Sequence, residues 1–222
     1  LNTSQKVESR SGKSPGNRGR GRPRQLAPKE REALILDAME RVLVSCGLDG
    51  ASMAAIAREA GMSKRTLYQV FDNRAALFTA CIRRIRLSFV RPLTGAETAL
   101  PLRERLCRIL MPDMRLAASE MPVAVLRAVV AEAQRYPDLA RAFLEEGPNA
   151  ARNVVQSELE RAAAHGEIRP VDPALAAHIL CDMIYECPID RIIDVQNSSR
   201  CPAEVESRFH LALDVFLEGV AQ

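Results

Sequence analysis

The stretch that most limits what this chain can fold into is 52–78, SMAAIAREAGMSKRTLYQVFDNRAALF. Ser52 suits a helix N-cap, and Met53, Ile56, Ala57 and Ala60 follow at helical spacing. Gly61 can adopt the left-handed conformation that ends such a helix, and Ser63 offers a second N-cap. Leu67, Val70 and Phe71 then make a short apolar stripe that leaves Lys64, Arg65, Tyr68 and Gln69 outward. Two short helices around a tight turn, the second with a polar and basic leading end, are what a helix-turn-helix presents to a major groove. An ordinary helical hairpin would account for the periodicity. It would not account for outward positions that are cationic, with no acidic residue after Glu59 until Asp72.

The segment from about 35 to 78 resembles the DNA-binding domain of TetR-family transcriptional regulators. The resemblance is carried by Gly47, Gly50, Ser52, Ile56, Ala57, Ala60, Gly61, Met62, Ser63, Thr66, Leu67, Tyr68, Phe71, Leu77 and Phe78 in that order. Arg65 stands where that family often has glycine, and Val70 where it often has an aromatic, departures that bear on which operator is read. The resemblance implies double-stranded operator DNA as a partner, with Ser52, Ser63, Lys64, Arg65, Thr66, Tyr68 and Gln69 at the contact. Lys64 and Tyr68 are expected on phosphates, and Arg65, Thr66 and Gln69 on base edges. Arg74, beside the N-terminal amides of the following helix, is expected to join them at a phosphate.

Charge distribution points the same way. Residues 1–31 hold nine Lys and Arg against two Glu, a net +7 that leaves −4 for the rest of a chain whose total is +3. The first 27 residues have almost no apolar content and read as a disordered basic arm. Within it Arg20, Arg22 and Arg24 resemble the core of an AT-hook, whose arginines lie along a narrow minor groove. A generic solubilising tail is the alternative.

Beyond the arm, scarce aromatics (4%), no Trp and no alternating β-rich run favour an all-α protein. A head is expected over 28–90 and a larger helical body over 91–222. Helices are expected at about 28–46, from 74 to about 90, and near 101–118, 122–135, 137–146, 148–165, 173–195 and 202–220, with kinks or breaks at Pro112 and Pro188. No apolar run of about 18 residues is present, and the N-terminus lacks the apolar core of a secretory signal, so no membrane partner and a cytoplasmic location are expected.

The segment AEAQRYPDLARAFLEEGP resembles the AefR-like C-terminal domain of one TetR subgroup, which implies an effector-binding and dimerising body. Residues 174–184 and the dense apolar run Phe209, Leu211, Leu213, Val215, Phe216, Leu217 and Val220 agree, because helices apolar on more than one face must be buried twice. Ile179, Met183, Leu213, Phe216 and Leu217 are the expected homodimer contacts. A small, largely apolar effector is expected in a pocket that includes Met111, Met114, Arg127, Val130, His178 and Asp182, among the helices at 101–118, 122–135, 148–165 and 173–187. Arg127, set in VAVLRAVVAEA, needs a partner, with Glu132 or another carboxylate expected, although it would also suit as the anchor of an acidic effector.

Nothing argues for catalysis. The three histidines, His165, His178 and His210, sit in no metalloprotease, nucleophile-elbow, P-loop or dinucleotide pattern, so no enzyme activity and no cofactor or metal are expected. His178, Cys181, Asp182 and Tyr185 share one helical stripe but lack a second ligand cluster. The six cysteines (46, 81, 107, 181, 187 and 201) form no C-x-x-C and read as reduced, buried small hydrophobes. The leading reading is a ligand-responsive transcription regulator, most simply a repressor. An architectural DNA binder dominated by its arm, and a redox- or metal-sensing regulator, are the alternatives.

Overall fold

The computed structural model describes residues 27–110, 115, 118–194, 196 and 199–221. The expectations placed on Arg20, Arg22, Arg24, Pro112, Met111 and Met114 lie outside those residues. The described chain is helical, with no strand among its described residues. The head consists of α1 (Pro28–Gly50), α2 (Met53–Glu59), α3 (Lys64–Tyr68) and α4 (Arg74–Leu87). Next come a 3-10 turn (Gly95–Ala99), α5 (Leu102–Leu110), α6 (Met121–Glu132), α7 (Pro137–Leu144) and a π turn (Glu145–Asn149). The chain then continues through α8 (Ala150–Ala164), α9 (Pro173–Ile184), α10 (Ile189–Ile193) and α11 (Pro202–Val220).

Local chemistry sets these boundaries. The regular helix of α1 breaks at Gly47 (φ 65°, ψ −172°) and is followed by one more turn to Gly50. The span 173–195 is two helices, α9 and α10, with the break expected at Pro188, whose ring cannot continue the i→i−4 ladder. Pro148 is absorbed differently: the wider π turn accommodates it, and α8 continues directly from there.

Two apolar cores result. The first is built from α1, α2, α3 and α4 around Ile35, Met39, Ile56, Leu67, Leu77 and Phe78, and it also takes Val125 and Val129 of α6 and Leu139 of α7. The second joins α5, α8, α9 and α11 around Leu106, Val155, Leu159, Leu180, Phe209 and Leu213. The helix expected to line the body core, 122–135, therefore packs along α1 instead. Leu213 and Phe216, expected on the dimer face, belong to the second core at 0% and 6% exposure. At a few kcal/mol per fully buried Leu or Phe side chain (about 1.5–3), each helps close its own core.

The head is tied to its surroundings by ion pairs along α4. Arg84 reaches Asp37 (2.8 Å) and Glu40 (2.6 Å) on α1. Arg83 holds Glu146 of the π turn through both carboxylate oxygens (3.0 and 2.8 Å), and Arg86 donates to the Glu146 carbonyl (2.9 Å). These pairs fix α4, the helix that leaves the head, to the π turn between α7 and α8.

Candidate nucleic-acid interface

The helix-turn-helix is held by its own caps. Ser52 Oγ accepts from the Ala55 amide (3.2 Å), and Ser63 Oγ accepts from the Thr66 amide (3.1 Å). Between them Gly61 sits at φ 64°, where an L side chain is strained by about 1–3 kcal/mol although space for a Cβ is open. The Met62 amide donates to the Ala57 carbonyl (2.8 Å), which closes the turn. Leu67 (0% exposed) and Phe71 (8%) then pin α3 to the head core.

That anchoring leaves Lys64, Arg65, Tyr68 and Gln69 exposed together at one surface. Thr66 is half-buried, with its hydroxyl 2.8 Å from Ser63 Oγ, so its hydroxyl supports the cap. The neighbouring carboxylate, Glu59, is bound by Arg41 at 2.6 Å, which leaves the face of α3 cationic. A five-residue helix with two adjacent cations and two long polar side chains suits phosphate contact and bidentate base contact from one edge.

Arg74 is a correction. Its guanidinium turns inward, donates to the Leu48 carbonyl and lies over the Tyr136 ring (4.8 Å to the centroid). The break at Gly47 leaves carbonyls at the end of α1 open to such a donor. Beside it, Asp49 accepts from the Tyr136 hydroxyl (2.8 Å) and pairs with Arg135 (2.8 Å). The Tyr136 hydrogen bond, and after it the Arg135 charge, holds the Asp49 carboxyl below its ordinary value. The cluster thus joins the end of α1 to the α6–α7 corner. A depressed carboxylate pKa makes this contact complete above the unfolded value and lost as pH falls through the folded one. Tyr136→Phe is expected to return the Asp49 carboxyl toward its ordinary pKa, measured by NMR titration. An unchanged titration would show that the hydroxyl does not set it.

Among the described residues, the expected pocket residues do not come together. Val130 (57% exposed), His178 and Asp182 all face outward, and Asp182 is paired with Arg152 at 3.3 Å. Among the described residues Arg127 binds no carboxylate: it donates to the Ile192 (3.1 Å) and Arg191 (2.9 Å) carbonyls at the end of α10. Cations there complement the open carbonyls of a helix C-terminus.

A cavity of about 220 Å³ lies where α9, α10, the start of α11 and Pro122 of α6 meet. Phe89, Ile184 and Tyr185 wall it, and Arg191, Arg200 and Arg208 reach it. Its signal in the sequence is faint, because these residues come from separate segments spread from Phe89 to Arg208.

A separate open groove of about 440 Å³ runs between α9 and α11, lined by Leu175, Ile179, Met183, Val215, Phe216 and Val220. Leu175 (59%), Ile179 (46%), Val215 (50%) and Leu211 (66%) are exposed there or nearby. Of the expected dimer residues, Ile179 is exposed and Met183 and Leu217 are half-buried, whereas Leu211 and Val215 take the outward positions expected of Leu213 and Phe216.

The cysteines divide between core and surface. Burial pushes the Cys81 thiol up to about 12 and the Cys181 thiol up to about 11, so neither is a ready thiolate. Cys46, Cys187 and Cys201 are exposed free thiols, against the expectation of burial. No helix among the described residues is long and apolar enough to cross a membrane.

Comparison with known proteins agrees with this geometry. Residues 35–81 match the model for bacterial regulatory proteins of the tetR family, and residues 104–219 match the AefR-like transcriptional repressor C-terminal domain. An uncharacterized HTH-type transcriptional regulator of Mycobacterium bovis is 31% identical over 149 residues, covering 66% of this chain and 68% of that protein. The HTH-type transcriptional regulator UidR of Escherichia coli is 26% identical over 191 residues, covering 84% and 90%. Among solved structures, a TetR-family regulator from Mesorhizobium loti superposes with a TM-score of 0.60 at 25% identity, covering 89% of this chain and all of that one. The Flavonoid-responsive Regulator FrrA gives the same TM-score at 26% identity, covering 87% and 98%.

Proposed function

Since this chain belongs to the TetR family of transcriptional regulators, we propose that it is a homodimeric repressor that leaves its operator when a small molecule binds its C-terminal body. The observation that carries the reading is the pairing of two surfaces on one rigidly connected chain. The cationic edge of α3 faces outward, and α4, which leaves the head, is bound to the body by Arg83 and Arg86 at Glu146.

Dimerisation follows from the apolar groove between α9 and α11. Isolated apolar side chains on a surface need no explanation, but a groove walled by Leu175, Ile179 and Val215 is suited to a second copy of itself. Two heads joined this way enter successive major grooves when about 34–36 Å apart, or a multiple of that. Head spacing is then the quantity a ligand must change.

The cavity by Phe89 and Tyr185 is the effector seat in this reading. Phe89 follows the end of α4 directly, and the Tyr185 hydroxyl donates to the Phe89 carbonyl at 3.3 Å. A ligand against these two rings therefore touches both the body and the exit of the connecting helix. FrrA is described as flavonoid-responsive, and response to a small molecule is the property carried over, without its particular ligand.

The test is to screen compounds by thermal shift, then titrate operator with and without a stabilising compound. Operator affinity is expected to fall 10- to 100-fold, about 1.4–2.7 kcal/mol of coupling. By linkage the operator must weaken the compound by the same factor. Equal compound affinity for free and operator-bound protein would contradict release by effector.

A further inference from the structure

We propose that the cavity beside Phe89 takes a small aryl carboxylate, its ring against Phe89 and Tyr185 and its anion among Arg191, Arg200 and Arg208. The inference rests on the effector reading and names the chemical class that this site selects.

The lining has two unlike halves. Phe89, Pro122, Ile184, Tyr185 and Val205 supply an apolar wall. Phe89 and Tyr185 meet edge to face, with centroids 6.4 Å apart and planes at 83°. The Tyr185 hydroxyl is engaged at the Phe89 carbonyl, so this half offers ring surface more than hydrogen-bonding groups.

The other half is rich in guanidinium. Arg191, Arg200 and Arg208 face the cavity against two carboxylates, Glu186 and Glu204. Glu186 already accepts from Arg200 at 3.1 Å. Arg191 donates to the Ser119 carbonyl at 2.6 Å, which fixes its position at the cavity. Burial, and then the like charge of Arg200, pushes the Arg191 guanidinium below its ordinary value. Arg208 is exposed and makes no ion pair or hydrogen bond among the described residues. Glu204 opposes an anion, yet three cations against two acids leave a net positive wall. A planar carboxylate matches the fork of a guanidinium, with two parallel N–H···O bonds available.

Size narrows the ligand further. A cavity of about 150 Å³ accommodates benzene. The present one, about 220 Å³, has room for one ring and one carboxylate. The largely apolar effector expected from the sequence is thereby replaced by an amphipathic one.

The experiment uses the full chain and a matched pair of probes, benzoate and benzamide, equal in shape and different in charge. Calorimetric titration is expected to show benzoate binding about tenfold tighter or more, as charge-assisted hydrogen bonds exceed neutral ones. In Arg208→Gln that preference should shrink to less than about threefold. Benzamide affinity and the melting temperature should stay as in the parent, since Arg208 is exposed and makes no ion pair or hydrogen bond among the described residues. Equal binding of the two probes, an undiminished preference in Arg208→Gln, or failure of benzoate to bind would overturn the assignment. Operator titration separates this from the effector reading. Benzoate that binds with the stated preference but leaves operator affinity unmoved upholds the ligand class and removes the release mechanism. A neutral compound that competes at this site and releases operator does the reverse.

Discussion

Glu158→Ala is expected to destabilise the fold by about 1.5–3 kcal/mol, because the buried Arg105 guanidinium loses one of its two carboxylates and keeps only Glu167. Arg105 and Glu158 are 3% and 6% exposed, at the contact of α5 with α8. Arg105 donates through Nε to Glu158 (2.6 Å), through Nη2 to Glu167 (2.7 Å) and through Nη1 to the Leu100 carbonyl (2.5 Å). Arg161 closes the group by donating to both Glu158 oxygens (2.8 and 3.0 Å). Every charged group is satisfied, so the network fixes the geometry of the second core without leaving an orphan. Urea denaturation should show a lower midpoint with unchanged slope. Replacing the pair together, Arg105→Met with Glu158→Leu, should cost less than Glu158→Ala alone, since the charges then left without these partners, Glu167 and Arg161, are each 31% exposed and reach water. If Glu158→Ala leaves the midpoint in place, the network contributes nothing to stability.

Arg65→Ala is expected to remove about 1–3 kcal/mol of base discrimination per half-site, hence about 2–6 for a dimer on two half-sites. The side chain stands exposed on α3 beside Lys64, with Leu67 buried beneath and holding the helix in place. Folding should therefore be untouched, and the whole effect should appear as lost preference between duplexes. Lys64→Ala should instead weaken all duplexes alike and flatten the salt dependence by about one unit of slope. An Arg65→Ala protein that keeps its preference would place base reading elsewhere on the face, at Gln69 or Thr66.

What was legible in the sequence was local. Ser52 and Ser63 cap the helices they precede, and each does so with its own oxygen on an amide three residues on. Gly61 takes the positive φ that its place after α2 called for, and the break expected at Pro188 is there, with Pro188 as the N-cap of α10. These are effects of a residue on its immediate neighbours, so spacing alone conveys them. The same holds for the exposed edge of α3, which follows from the apolar stripe on its other side.

What was not legible depended on chains of contact between distant segments. Arg105 meets Glu158 across 53 positions, and Arg74 finds Leu48 across 26. A long cationic side chain reaches whichever acceptor the tertiary fold brings near, and that is why Arg74 turned inward and Arg127 found carbonyls. The periodicity of α11 showed two apolar faces without saying which was inner. Leu213 and Phe216 went to the core, and Leu211 and Val215 stayed out. The cavity keeps Pro122 and the end of α9 from the expected helices and adds α10 and α11, which only the tertiary fold brings there. An apolar helix such as α6 carries no mark of which core it joins.

The central claim is that this protein reads DNA sequence rather than merely coating DNA. The direct measurement is its affinity for a duplex selected from a random-sequence pool, against a scrambled duplex of equal composition at one fixed salt concentration. A ratio of about 10³ or more is predicted for a sequence-specific regulator. A ratio near one would contradict it and identify an architectural binder instead.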